Sequence, residues 1–198
     1  MAAPVEFWFE YASTYSYLAA ARVGAAARNA GIELLWRPFL LGPIFQAQGW
    51  SDSPFNIYPV KGRNMWRDME RQCQALGLPL RRPSQFPRNG LAAARLTLVA
   101  DDQGWAGDLA PLVYRANFGA DRNIADAGVL AELVQSLGRD GAAALVAAGA
   151  EASKQRLKAQ TSRAIELGIF GAPSFTVAGE LFWGNDRLEQ ALDWAKRS

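Results

Sequence analysis

The chain has 198 residues, 50% of them hydrophobic and 20% charged, with a formal net charge of +2. It holds no histidine and a single cysteine, Cys73. That excludes histidine triads, most zinc sites, an intrachain disulfide and a self-contained dithiol. The small net charge points away from nucleic acid, and no apolar run is long enough to span a bilayer.

Residues 5–11, rich in Val, Phe, Trp and Tyr, read as a buried strand. Residues 15–29 read as a helix stopped by Gly31, and residues 32–38 as a second strand in which Ile32, Leu34 and Trp36 alternate with Glu33, Leu35 and Arg37. A parallel β-α-β unit fits within residues 5–38. Residues 40–60 carry Gly42-Pro43, Gly49, Ser53-Pro54 and Tyr58-Pro59 and read as loop. Residues 61–76 read as a helix with Met65, Met69, Cys73 and Leu76 on one stripe.

Helical patterns follow at about 89–103, 107–119, 126–137, 139–148 and 151–167, by the spacing of Ala and Leu between Gly breaks. Strand character returns at 174–177 and 181–183, joined by Ala178-Gly179-Glu180 in hairpin spacing. A last helix is expected over 186–196, capped by Asn185. This order implies an α/β thioredoxin-like fold with a large helical insertion. Residues 1–60 and 168–198 would form the thioredoxin-like part, and residues 61–167 the insertion. The N-terminus lacks the basic region and apolar stretch of a secretory leader, so a soluble cytoplasmic protein is expected.

The polar step Ser13-Thr14-Tyr15-Ser16 lies where such a fold carries a Cys-x-x-Cys pair. Unpaired N–H groups and the positive end of the helix dipole converge there and would stabilise a thiolate. Ser13 or Thr14 either caps the helix or donates to a sulfur brought by a ligand. Pro173, before a strand, would in the cis form turn Ala172 so that its N–H and C=O face a ligand. Asn185-Asp186-Arg187 is either a cap with an acidic first turn or a receptor for an α-amino acid end. Lys61 suits a carboxylate, and Asn56 is polar in the same region; each also reads as an ordinary surface side chain. Arg67, Asp68, Glu70 and Arg71 read as a charged helix face. Phe7, Trp8, Phe9, Tyr15, Trp50, Phe55, Trp66, Phe182 and Trp183 either fill the core or wall an apolar pocket.

Four segments together resemble the 2-hydroxychromene-2-carboxylate isomerases and the related kappa-class glutathione transferases of the DsbA-like thioredoxin superfamily. They are Phe9–Leu18 (FEYASTYSYL), Lys61–Asp68 (KGRNMWRD), Phe170–Phe175 (FGAPSF) and Phe182–Leu188 (FWGNDRL). The resemblance spans essentially the whole chain. It implies glutathione as cofactor, with Ser13 as the catalytic serine hydrogen-bonded to its sulfur. It also implies a glutathione site made of Lys61, Ala172, Pro173, Asn185, Asp186, Arg187 and Asn56.

The activity implied is conversion of 2-hydroxychromene-2-carboxylate to trans-o-hydroxybenzylidenepyruvate, in breakdown of naphthalene-like aromatics. The thiolate would add to a conjugated carbonyl compound, allow rotation and leave again. A small aromatic substrate and a homodimer are implied partners; no metal, nucleic acid or membrane partner is expected. Two departures stand out: Thr14 replaces a usual proline, and Asn64 replaces a usual aromatic. The alternatives are a transferase or peroxidase acting on another electrophile, and a non-catalytic module that captures an extended peptide along the Pro173 edge.

Overall fold

The computed structural model describes residues 2–198. Four strands form one mixed sheet in the order β2-β1-β3-β4, comprising β1 (Val5–Phe9), β2 (Leu34–Pro38), β3 (Ser174–Val177) and β4 (Glu180–Trp183). β1 runs parallel to β2, with Phe7 opposite Trp36, and antiparallel to β3, with Phe7 opposite Phe175. Both faces of β1 are covered, which explains its nearly continuous apolar sequence. On one face Phe7 stacks on Phe9 and Phe175, with centroids 4.9 and 5.4 Å apart. On the other, Trp8 packs with Phe39, Ala164 and Ile169. The Trp8 indole N–H donates to Thr176 Oγ1 at 2.9 Å, so its polar edge is also satisfied.

The expected β-α-β start is present. α1 (Thr14–Ala30) joins β1 to β2 and ends where Gly31 adopts φ 67. A left-handed residue there lets its N–H close on the last carbonyls, which glycine does without strain.

The 40–60 stretch is more ordered than its loop-like sequence suggests. It contains α2 (Leu41–Ala47) and α3 (Pro54–Ile57), and α4 (Pro59–Leu76) begins before Lys61. The prolines that read as breakers sit in the first turns of α3 and α4, where a missing N–H costs nothing and the fixed φ suits a helix. Gly62 allows α3 and α4 to touch: a Cβ there would lie 2.2 Å from the Phe55 carbonyl oxygen.

α4 buries Met65, Met69 and Cys73, as the stripe implied, while Leu76 is exposed. The helical region continues through α5 (Leu91–Asp102), α6 (Ala106–Tyr114), α7 (Ala127–Ser136), α8 (Gly141–Gly149) and α9 (Glu151–Glu166). The helix expected over 107–119 changes to a wider π turn at Arg115–Gly119. That turn buries Asn117, whose amide donates to the Tyr11 carbonyl at 3.1 Å. One hydrophobic cluster runs from Phe7, Phe9 and Phe175 through α1 and α4 into α5, α6, α7 and α8.

The β3–β4 hairpin turns at Ala178 and Gly179, with φ of 48 and 88. Two positive φ values in a two-residue turn match the twist of antiparallel strands. The last helix differs from expectation at its start: Asn185–Arg187 form a short 3-10 turn, and α10 spans Leu188–Ala195. Asn185 makes no side-chain cap. Its Oδ1 accepts from Arg22 at 3.3 Å and its Nδ2 donates to Gln72 at 3.1 Å, tying the turn to α1 and α4.

Candidate active site

Ser13 is the N-cap of α1, in extended conformation (φ −77, ψ 118). Its hydroxyl oxygen accepts from the Ser16 N–H at 3.2 Å, the capping bond that a serine at this position makes. Its proton is donated across the site to the Ala172 carbonyl at 2.9 Å. The helix cap and the contact to the cis-proline segment thus fall on one hydroxyl. The Ala172–Pro173 peptide is cis. The Ala172 N–H finds no acceptor among the described residues. The Pro173 carbonyl receives the Gly184 N–H at 2.9 Å, which locks the cis-proline segment to the end of the hairpin.

A cavity of about 830 Å³ opens beside this contact. Its floor holds Glu10, Ser13, Thr14 and Ala172, and Trp50, Phe55, Phe86 and Trp183 contribute aromatic walls. Of these rings, Phe86 was absent from the aromatics read as pocket candidates, whereas Phe7, Trp8 and Phe9 belong to the core. Lys61 lines the same cavity from α4. Its ammonium lies 4.9 Å from the Tyr58 ring centroid and takes part in no ion pair among the described residues. Cations in contact with an aromatic face stay available to an anion on their open side.

The remaining candidates lie around rather than in the cavity. Asn56 donates to Asp52 at 3.0 Å and to the Phe86 carbonyl at 3.2 Å, and so braces the loop before α4 against the opposite wall. Asp186 is exposed, 3.2 Å from Arg187, and folds back over Gly184. A Cβ at Gly184 would lie 2.5 Å from the Asp186 Oδ1, and its φ of 118 suits glycine. Asp186 is therefore held beside the residue that bonds Pro173. Asn185 is buried with its side chain occupied by Arg22 and Gln72. Asn64 is exposed and outside the cavity lining. Thr14 is buried, and its Oγ1 has no hydrogen-bond partner among the described residues.

Two cavity residues were not singled out from the sequence. Glu10 follows β1, and burial pushes its carboxyl up to about 7, partly offset by the Ala12 N–H. A charged residue ending an aromatic strand was the available signal. Arg88 lies across the cavity, almost wholly buried, between Asp121, Ser84, Asn117 and the Arg122 carbonyl. Its partners come from distant segments, so nothing local marked it. Cys73 is buried in α4 with its thiol pushed up to about 11 by desolvation, away from the Ser13 cavity. The described residues include no second thiol, so the site is a thioredoxin-type ligand cleft without a redox pair.

Comparison with known proteins agrees with this fold. The family model described as "DSBA-like thioredoxin domain" matches residues 4–194. The chain belongs to that DsbA-like thioredoxin family, and within it to the group of the 2-hydroxychromene-2-carboxylate isomerases. The isomerase of Pseudomonas putida is 30% identical over 93% of this chain and 90% of its own length. That of Sphingobium xenophagum is 28% identical over 96% of each chain. A solved structure of a selenomethionine 2-hydroxychromene-2-carboxylate isomerase superposes with a TM-score of 0.87 at 26% identity, covering 98% of this chain and 94% of that one.

Proposed function

We propose that this protein is a glutathione-dependent isomerase that converts 2-hydroxychromene-2-carboxylate to trans-o-hydroxybenzylidenepyruvate during aromatic-compound degradation. The observation that carries this reading is the Ser13 hydroxyl, held at the N-terminus of α1 against the carbonyl of a cis Ala172–Pro173 segment and open to an aromatic-walled cavity. The names of its relatives support the reaction. The donor set fits glutathione. Ala172 offers a main-chain N–H beside the serine, Lys61 offers an unpaired cation, and Asp186 offers an exposed carboxylate at the far end of the cis-proline segment.

Glutathione, when bound, would supply at this cavity a thiolate nucleophile that its lining residues do not. Rotation of the Ser13 O–H about its Cβ–Oγ bond redirects its proton from the Ala172 carbonyl without moving the oxygen, so the hydroxyl can donate to sulfur. The positive end of α1 lowers the energy of negative charge at that spot. Lys61 would hold a carboxylate of the tripeptide, and Ala172 would pair with its backbone. Asp186, with Arg187 and the Asn185 main chain, would receive the γ-glutamyl end. Asn56 would act by holding the wall near Lys61. The aromatic walls exclude water around the substrate ring. We further propose a cytoplasmic homodimer, which light scattering tests.

The test is a glutathione titration followed by product analysis. Saturable binding, trans product and unconsumed glutathione support the isomerase. Consumed glutathione would replace it with a transferase or peroxidase, and peptide binding without glutathione would replace it with a binding module. Ser13→Ala is expected to cut turnover by about a hundredfold, the scale of a lost charge-stabilising donor, while leaving glutathione affinity within about threefold.

A further inference from the structure

The isomerisation proposed above has two halves. The chromene ring must open before the double bond can turn, and opening moves a proton between two substrate oxygens. Neither Ser13, whose hydroxyl serves the sulfur, nor Lys61, which serves a carboxylate, is placed to carry that proton. Two carboxylates line the cavity: Asp52, which accepts from the Ser53 N–H and the Asn56 amide, and Glu10, three residues before Ser13 in the chain. Its position is held by main-chain bonds: its carbonyl accepts the Ser13 N–H at 2.9 Å and the Tyr114 hydroxyl at 2.8 Å. The opposite wall presses on its carboxylate. A Cβ on Gly90 would fall 3.2 Å from Glu10 Oε1 and 2.8 Å from Tyr11 Cβ, so only glycine lets the 86–90 segment close over it.

We propose that Glu10 is the proton carrier for ring opening, a role that rests on the isomerase reading. As a carboxylate it takes the proton of the 2-hydroxyl group. That O–H electron pair forms the new C2 carbonyl bond, and the bond from C2 to the ring oxygen breaks with its pair left on the phenolic oxygen. Glu10 then returns the proton to that oxygen and is regenerated, so atoms and charge balance with no further reagent. The product is the open cis enone on which the thiolate acts.

The surroundings of Glu10 suit the task. The Tyr114 phenol, held neutral by burial, donates to the Glu10 main chain, and the 86–90 wall lies against the carboxylate at Gly90. Arg88 is spent on Asp121, and Glu10 joins no ion pair among the described residues. Lacking a cation partner, the carboxyl is held by desolvation at about 7, where both protonation states are populated at neutral pH.

The experiment uses the full protein and 2-hydroxychromene-2-carboxylate without glutathione. Saturation-transfer NMR reads exchange between the closed ring and the open cis form. Wild type should accelerate this exchange, and Glu10→Gln should lose about a hundredfold of the acceleration. With glutathione added, Glu10→Gln should lose far less of the cis-to-trans turnover of cis-benzylidenepyruvate, which lacks the ortho hydroxyl and cannot close, than of the turnover of 2-hydroxychromene-2-carboxylate. Undiminished exchange in Glu10→Gln, or no acceleration by wild type, would overturn the role of Glu10. Equal losses on both substrates would overturn it too, by showing a general defect of the site. Failure of the isomerase reading shows separately, as absence of trans product from wild type with glutathione.

Discussion

Replacing Glu10 by Gln should stabilise the protein in a pH-dependent way, independent of any reaction. Burial raises the carboxyl from an ordinary 4.5 to about 7. The native state therefore keeps its proton over a range in which the unfolded chain has already lost it. Below about pH 4.5 both states are protonated and the group costs nothing. As pH rises from there to 7, the unfolded state alone gains by ionising, so stability falls. Above pH 7 both are ionised and the loss is constant. A rise from 4.5 to about 7, at about 1.4 kcal/mol for each tenfold change in proton affinity, amounts to a loss of about 3 kcal/mol. Glutamine does not ionise and escapes it. The stability difference between Glu10→Gln and wild type, from urea unfolding at each pH, should climb by about 3 kcal/mol between pH 4.5 and 7. For a chain of this size that corresponds to roughly 6–12 °C in Tm. Comparing differences cancels every other titrating group. A difference that stays level from pH 4 to 8 would refute the burial of an unpaired carboxyl at this site.

Tyr114→Phe removes the hydroxyl that donates to the Glu10 carbonyl and should cost about 1 kcal/mol in urea unfolding; no loss would mean the carbonyl finds another donor. Gly62→Ala drives a Cβ into the Phe55 carbonyl and should destabilise by about 1–3 kcal/mol and, on the proposed function, weaken glutathione binding through displacement of Lys61. Unchanged melting and affinity would show that α3 can move aside. Cys73, with its thiol pushed up to about 11, should react with a disulfide reagent on the order of a hundredfold more slowly at pH 8 in the native protein than after unfolding. Equal rates would contradict its burial.

The arrangement of the two ends of the chain explains why the site was partly legible. Ser13 sits at the first strand-to-helix step, and both its cap role and its place at a helix N-terminus follow from local rules. The Gly-Ala-Pro entry to β3 is equally local, and it meets Ser13 because β1 and β3 pair antiparallel, as in any thioredoxin-type sheet. The segment before α4 was harder. Pro54 and Pro59 read as interruptions, and whether a proline ends an element or begins one depends on the turn that follows. Asn185 shows the same limit. It is a good cap by type, but Arg22 and Gln72 arrive from α1 and α4 and claim its side chain.

Composition alone determined what this site lacks: with no histidine and one cysteine, it has neither an imidazole base nor a thiol pair of its own. Periodicity and turn chemistry determined the α/β frame and the helical segment within it, because they act over a few residues at a time. The cavity was decided by tertiary structure. Glu10, Lys61, Phe86 and Ala172 are scattered over more than 160 positions and converge only when α4 and the 86–90 segment close over the end of β1. The charge state of Glu10 belongs to that closure, since desolvation is a property of the whole neighbourhood and not of the residue.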